Sequence, residues 1–397
     1  MTNRLVLRGA TLIDGTGAPP APGATVVVED GRIAEVVTNG RAPSGPSIDL
    51  GGLTLLPGLV NCHVHLCLNG AADPVRAIAA ESFAGTVIQE VLRARQTVEA
   101  GVTTVRDLGG RDYAELTVRD AIRQGLIPGP RVLAAGRGIC MTGGHGWQMI
   151  AREADGPDDV RRAVREQLKA GADVIKILAT GGVMTPGVDP RSAQLTPEEV
   201  RVAIEEARKA GRRTAAHAQG TDGIAACLEG GITTIEHGIF LTEPLAQRMA
   251  RDGVALVATL IAPHAIASGG TAAGIPEFAV RKSLAVRDRH VESFQMALRL
   301  GVTIAAGTDA GTPLNPHGSM VPELELMVKA GMTPLDVIRS ATSIAARVLG
   351  LEEETGRVAP GLAADLIAVA GDPADSVHAL AEPHLVIAGG RTVVSRL

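Results

Sequence analysis

Ten histidines stand in this 397-residue chain. Four of them, with one lysine and one aspartate, are spaced so that they could hold metal ions. His63 and His65 lie two residues apart, and in a strand that spacing points both imidazoles to one face. His217, His237 and Asp309 each close an apolar run, while Lys176 sits inside one, Asp173-Val174-Ile175-Lys176-Ile177-Leu178. Neutral imidazoles with a carboxylate suit zinc or a similar borderline cation. The chemistry of such a centre is activation of water for attack on a polarised carbonyl.

Each residue also has a structural reading. A lone histidine in a strand can be a hydrogen-bonded core residue. Asp309, in Gly307-Thr308-Asp309-Ala310-Gly311, can cap a helix or close an Asx-turn. An ammonium on Lys176 would be costly inside an apolar strand, so the amine should shift toward neutral. Either its stem snorkels to the rim of the fold, or the neutral amine takes up carbon dioxide. The carbamate so formed is a carboxylate on a long arm that could bridge two cations. Cys62 and Cys67 flank the histidine pair, so a thiolate-zinc site is conceivable, but alternation places the two on different faces of a strand. The spacing of Cys62, Cys67, Cys140 and Cys227 is no disulfide framework and reads as four reduced, buried thiols.

The elements that must position these residues are legible. Strand-like runs at 59–66, 103–108, 132–136, 173–179, 213–218, 233–238, 255–260 and 303–309 alternate with helical segments. Several of those helices end in glycine, as in Lys169-Ala170-Gly171 and Lys209-Ala210-Gly211, which supplies a left-handed cap before the next strand. Thr196-Pro197-Glu198-Glu199 reads as a helix start, and Thr242 and Thr333 open similar segments. This alternation predicts an α/β fold, a (β/α)₈ TIM barrel over residues 57–349. An open doubly wound sheet is the alternative, but it would usually carry a Gly-rich phosphate loop after its first strand, where His63-Val64-His65 stands instead. In a barrel, the carboxyl ends of the strands form one rim, and residues far apart in sequence converge there. Both chain ends, 1–56 and 350–397, read as short strands with turns, among them an Asp30-Gly31 hairpin.

Composition bounds the rest. The chain is 45% hydrophobic but holds one Trp, one Tyr and four Phe, so Ala, Val, Leu and Ile must pack the core. A net charge of -5 with interspersed Arg and Glu argues against nucleic acid and against an anionic membrane surface. The amino terminus reads as a strand rather than a signal peptide, and no apolar run is long enough to span a membrane. A cytoplasmic homo-oligomer acting on a small molecule is the expectation.

Pro57-Gly58-Leu59-Val60-Asn61-Cys62-His63-Val64-His65 resembles the opening signature of the amidohydrolase superfamily, and the closing Ala359-Pro360-Gly361-Leu362-Ala363-Ala364-Asp365-Leu366 fits it too. The resemblance covers nearly the whole chain. It implies that the two β ends pair into a small β-sandwich beside the barrel. It also implies that a carboxylated Lys176 bridges two divalent ions, zinc being expected. His63, His65 and Asp309 would hold the first, and His217 and His237 the second. Within the superfamily the chain is similar to the binuclear branch containing prolidase-like dipeptidases and imidazolonepropionase-related proteins. The residues that carry this are Thr104-Val105-Arg106-Asp107, Thr142-Gly143-Gly144-His145-Gly146, Glu236-His237-Gly238 and His317-Gly318. Mononuclear deaminases of the superfamily generally place a glutamate shortly after the strand-five histidine, where this chain has Ala218-Gln219-Gly220.

Two departures stand out. Trp147 replaces an acidic residue common in the dipeptidase branch, and Phe240 replaces a tyrosine whose hydroxyl can meet substrate. The expected reaction is therefore metallopeptidase-like hydrolysis of an amide bond, in a dipeptide or N-acyl amino acid. A cyclic amide or lactone is the alternative on the same metals. Asp309 is the expected base and His145 the donor to the oxyanion. Arg106, Arg137 and His317 are candidates to hold a substrate carboxylate, and Trp147 and Phe240 to shape the pocket. A structural pairing role is the alternative for the arginines.

Overall fold

The computed structural model describes residues 4–38 and 43–397. The reading of residues 1–3 as part of the first strand lies outside the described residues.

The middle of the chain forms parallel sheet, with helices between the strands. Leu59–Val64 (β1), Val102–Asp107 (β2) and Arg131–Ala134 (β3) make one three-stranded parallel sheet. Val174–Leu178 (β4), Arg213–Ala218 (β5), Thr234–His237 (β6) and Ala255–Val257 (β7) run side by side in a second. Of these, β1, β2, β4 and β6 are buried on both faces, as strands of a sheet covered by helices must be. The two sheets touch where Asp173 N donates to Ala134 O at 2.8 Å.

The eighth expected strand, 303–309, is corrected by the structure. It forms isolated bridges only, Ile304 to Leu256 and Ala310 to Val64. The backbone explains why. Ala306 N turns away to Ser340 O, Gly307 presses against His63, and Asp309 adopts φ 58°. The segment is nonetheless stitched to both flanks, by Ala305 N to Leu256 O and by Cys62 N to Ala306 O.

The chain ends meet in one eight-stranded sheet. Its order runs from Arg391–Ser395 through Pro383–Ala388, Leu366–Ala370, Leu53–Pro57, Arg4–Leu12 and Ala21–Glu29 to Arg32–Val37, with Ser47–Asp49 beside Arg4–Leu12. Arg4–Leu12 runs as one strand in which Gly9, at φ 77°, absorbs a register shift between Arg8 and Ala10. The Asp30-Gly31 turn is the expected hairpin, with φ 48° and 82° and Glu29 paired to Arg32. One apolar cluster, including Leu7, Val26, Leu55, Leu366 and Leu385, joins strands from both ends.

Helix signals read from the sequence are present in part. Thr196 and Glu199 form a full capping box, and Thr333 accepts from Asp336 N, whereas Thr242 makes no side-chain cap bond. Gly171 caps its helix in the left-handed region. Among the described residues no helix is long and apolar enough to cross a membrane.

Candidate metal centre

Strand alternation delivers the first pair. His63 ends β1 on the face that His65 continues, and their rings lie 5.3 Å apart. Asp309 reaches them from the stitched segment, its Oδ1 3.3 Å from Nε2 of each. Donor atoms of the three residues lie within 4.8 Å of one another, and the two histidines are buried. The ring of His237, at the end of β6, lies 5.3 Å from that of His63 and 4.6 Å, edge-on, from that of His217, and His217 lies 4.3 Å from His145. Lys176 completes the floor and is 2% exposed. All seven residues line one cleft with about 760 Å³ of empty space, open solvent at its mouth included.

The far side of each ring is fastened, which fixes the nitrogen left for the cleft. His65 Nδ1 donates to Gly109 O at 2.9 Å and His217 Nε2 to Gly181 O at 2.9 Å. His63 Nδ1 meets Glu236 Oε2 at 2.9 Å, and His237 Nδ1 meets Thr259 Oγ1 at 2.7 Å. His290 Nε2 donates to the His237 carbonyl at 3.0 Å. His237, Thr259 and Asp309 all carry positive φ, at 71°, 55° and 58°. A non-glycine residue holds that conformation only when its surroundings impose it, and these three sit where the chain leaves the sheet and side chains are re-aimed.

Charge at the floor suits cations. Burial, then the charge of Lys176, holds the His63 imidazole well below its usual range, and burial does the same to His217 and His237. Burial opposes ionisation of Asp309, but His63, His65 and Lys176 outweigh it and keep the carboxyl below its ordinary range. Burial brings the Lys176 amine down to about 8, against the pull of Glu236 and Asp309. Neutral imidazoles at His63, His217 and His237, a His65 imidazole that the Asp309 carboxylate raises against the effect of burial, and a Lys176 amine shifted toward neutral make a donor set that fits divalent ions and a carbamate.

His145 is half-buried and neutral, its pKa brought to about 3 by desolvation. Its Nδ1 lies 2.9 Å from Thr185 Oγ1, and that oxygen accepts from Gly146 N at 3.1 Å. With the Thr185 hydroxyl donating to Nδ1, His145 would keep Nε2–H as a donor. The ring lies on Gly182, where a Cβ would come 2.4 Å from it.

Five residues expected to contact substrate lie apart from the cleft lining. None of Arg106, Arg137, Trp147, Phe240 and His317 lines the cleft. Arg106 is 1% exposed, beneath the floor, donating to Cys62 O, Thr234 Oγ1 and Glu236. His317 Nε2 is taken up by the His65 and Leu68 carbonyls at 3.1 and 3.0 Å, fastening the loop after β1. Arg137 donates to Ala151 O and, with the exposed Trp147, lines a separate outer depression. Phe240 stacks under Arg191 at 4.9 Å. The thiolate alternative also falls away, since Cys62 and Cys67 lie outside the cleft and burial pushes the Cys62 thiol up to about 12.

Sequence reasoning missed Glu236, Thr259 and His290. Glu236 had a signal, a carboxylate inside the apolar run ending at His237. Thr259 and His290 had none, because their roles depend on which backbone they face.

Residues 54–393 match the family model described as the amidohydrolase family. Ochratoxinase of Aspergillus niger is 33% identical over 415 aligned residues, which cover 96% of this chain and 84% of that one. The crystal structure of a Xaa-Pro dipeptidase with methionine bound in its active site superposes with a TM-score of 0.91 at 32% identity, covering 98% of this chain and 99% of that one. A prolidase complexed with N-methylphosphonate-L-proline superposes at 0.92 with 30% identity, over 99% of this chain and all of that one.

Proposed function

The chain belongs to the amidohydrolase family, and from that premise we propose that it cleaves an amide bond of a small molecule in the cleft above His63, His65 and Asp309. The observation that carries this reading is Asp309 Oδ1, ionised and 3.3 Å from two histidine Nε2 atoms in a buried cleft.

His63, His65 and Asp309 would hold one divalent ion, and His217 and His237 a second. Zinc suits this set, with a Lys176 carbamate reaching both. The carbamate forms when the neutral amine adds to carbon dioxide and releases a proton. Bound there, the ions would lower the pKa of water toward neutral and polarise the substrate carbonyl. The chain's own groups do the rest. Asp309 accepts a proton from the attacking water and passes it to the leaving nitrogen. His145 Nε2–H donates to the oxygen on which charge develops. Glu236, Gly109, Gly181 and Thr259 hold the imidazoles in place.

We read the two parallel sheets and the stitched segment as a closed (β/α)₈ barrel over 57–349, which the hydrogen bonds on both flanks of 303–310 support. The cluster that joins strands from both ends supports reading 1–56 and 350–397 as a sandwich domain beside it. Assay of the metal-loaded protein against a panel of N-acyl compounds, with Asp309→Asn as control, tests the function. Cleavage that survives in Asp309→Asn removes the proposal.

A further inference from the structure

The helix Glu277–Arg299, between β7 and the stitched segment, does more than cover a strand. Four of its side chains donate to five backbone carbonyls around the cleft. Where β6 ends and its loop begins, His290 Nε2 bonds His237 O at 3.0 Å, Ser293 Oγ bonds Ile239 O at 2.6 Å and Arg289 Nη2 bonds Leu241 O at 2.7 Å. Nearer the amino end of the helix, Lys282 Nζ bonds Gly182 O at 3.2 Å and Thr185 O at 2.7 Å, in the loop after β4. Apolar packing runs beside these bonds. Val183, Met184, Ile239, Ala279 and Val286 belong to one buried cluster, and the first three also line the cleft.

The segment 181–185 is where this bracing meets the chemistry. Gly181 O accepts from His217 Nε2. The His145 ring lies on Gly182, and its Nδ1 meets Thr185 Oγ1, which also accepts from Gly146 N. The half-buried Lys282 therefore holds the carbonyls of the same two residues that touch the imidazole. Its Nζ also lies 5.6 Å over the Phe278 ring, so the ammonium is occupied within the fold. Hydrogen bonds from a charged donor are stronger than neutral ones, which suits a group that must keep a loop still.

We propose that the helix Glu277–Arg299 braces the site, and that Lys282 is the positioning residue through which it aims His145 Nε2 at the developing oxyanion. The oxyanion part rests on the amide-hydrolase reading, and the brace rests on the hydrogen bonds alone. If Gly182 and Thr185 drift, the surface under the imidazole and the hydroxyl at Nδ1 move with them. A misplacement of about 1 Å can lower a rate about 100-fold. The candidate metal ligands stand on strands and on the stitched segment, so the loss should fall on turnover and not on metal content.

In the metal-loaded full chain, Lys282→Met should lower kcat about 10- to 100-fold on any N-acyl compound the parent cleaves, with KM and metal content unchanged. Lys282→Arg, whose fork still reaches two carbonyls, should recover most of the loss. Thr185→Val should lower kcat as far as Lys282→Met does, and the double variant little further, because both act through one contact. Lys282→Gln, which keeps a shorter donor, carries the test if Lys282→Met does not fold. Losses that multiply in the double variant overturn the proposal. So does a kcat within about twofold of the parent, or a KM or metal content that moves with kcat. Hydrogen exchange read by mass spectrometry keeps the two readings apart. In Lys282→Met, peptides covering 144–150 and 181–186 should exchange about tenfold faster, while those covering 59–66 should not change. If the parent cleaves no N-acyl compound, the amide-hydrolase reading fails and exchange alone decides the brace. Faster exchange confined to those two segments supports it, and unchanged exchange overturns it.

Discussion

Glu236 Oε2 lies 2.9 Å from His63 Nδ1, and its other carboxylate oxygen lies 2.9 Å from Arg106 Nη2. The three side chains form a buried line from beneath the floor to the cleft. Arg106 balances the charge of Glu236, and Glu236 holds the imidazole so that Nε2 faces Asp309. A carboxylate behind a ligating histidine fixes its tautomer and raises its basicity.

Glu236→Gln should therefore fold but bind divalent metal about 10- to 100-fold more weakly. Competition with a chromogenic chelator measures this. Unchanged affinity would show that Glu236 serves only the fold.

Arg106→Met should destabilise the protein by about 3–5 kcal/mol, because it leaves the Glu236 charge buried and unpaired. Adding Glu236→Gln to it should recover much of the loss. Urea unfolding of the single and double variants reads both, and strict additivity would dissolve the pair.

Asp309→Asn removes the base. Turnover should fall by about 10²- to 10⁴-fold while the histidines keep some metal. Metal analysis beside a rate measurement separates loss of the base from loss of the site.

Native mass spectrometry of the metal-loaded protein under bicarbonate should show the mass of one added carbon dioxide, absent in Lys176→Arg. An unmodified lysine in a fully active protein would eliminate the carbamate. Metal stoichiometry in Lys176→Ala should fall as the bridging arm is lost.

Away from the site, Glu90 and Glu115 are fully buried, and all four of their carboxyl oxygens lack a hydrogen-bond partner. Burial, then the charge of Asp107, pushes Glu115 up to about 8, and burial with Glu115 raises Glu90 well above its ordinary value. The folded state thus holds protons that the unfolded chain releases above about 4.5. That contribution is fully present below the unfolded value and is lost as pH rises through the folded one. Stability should decline between about pH 5 and 8, and Glu115→Gln should flatten the decline. Melting temperatures across that window decide it, and parallel curves for the two proteins would count against a protonated Glu115.

Much of the site is legible in the amino-acid sequence. The His63 and His65 pair follows from a period of two. The neutral tendency of Lys176 follows from its apolar neighbours, and burial indeed brings it to about 8. The substrate contacts are not legible there. Arg106 and His317 have residue types that suit a carboxylate, but each faces backbone and side-chain acceptors that no local pattern announces. The strand expected at 303–309 fails for a similar reason, since Ala306 N bonds to Ser340 in a different element.

Local chemistry along the chain was enough to determine which residues can ligate, which runs alternate as strand and helix, and where glycines cap them, because those properties depend on neighbours within a few positions. Only the tertiary structure decided which polar groups are consumed and which are left over. Every buried donor and acceptor seeks a partner, and the partners of Arg106, His317 and His290 come from distant segments. What remains facing the cleft after that pairing is the candidate metal-binding floor of His63, His65 and Asp309 and the apolar side chains that wall it.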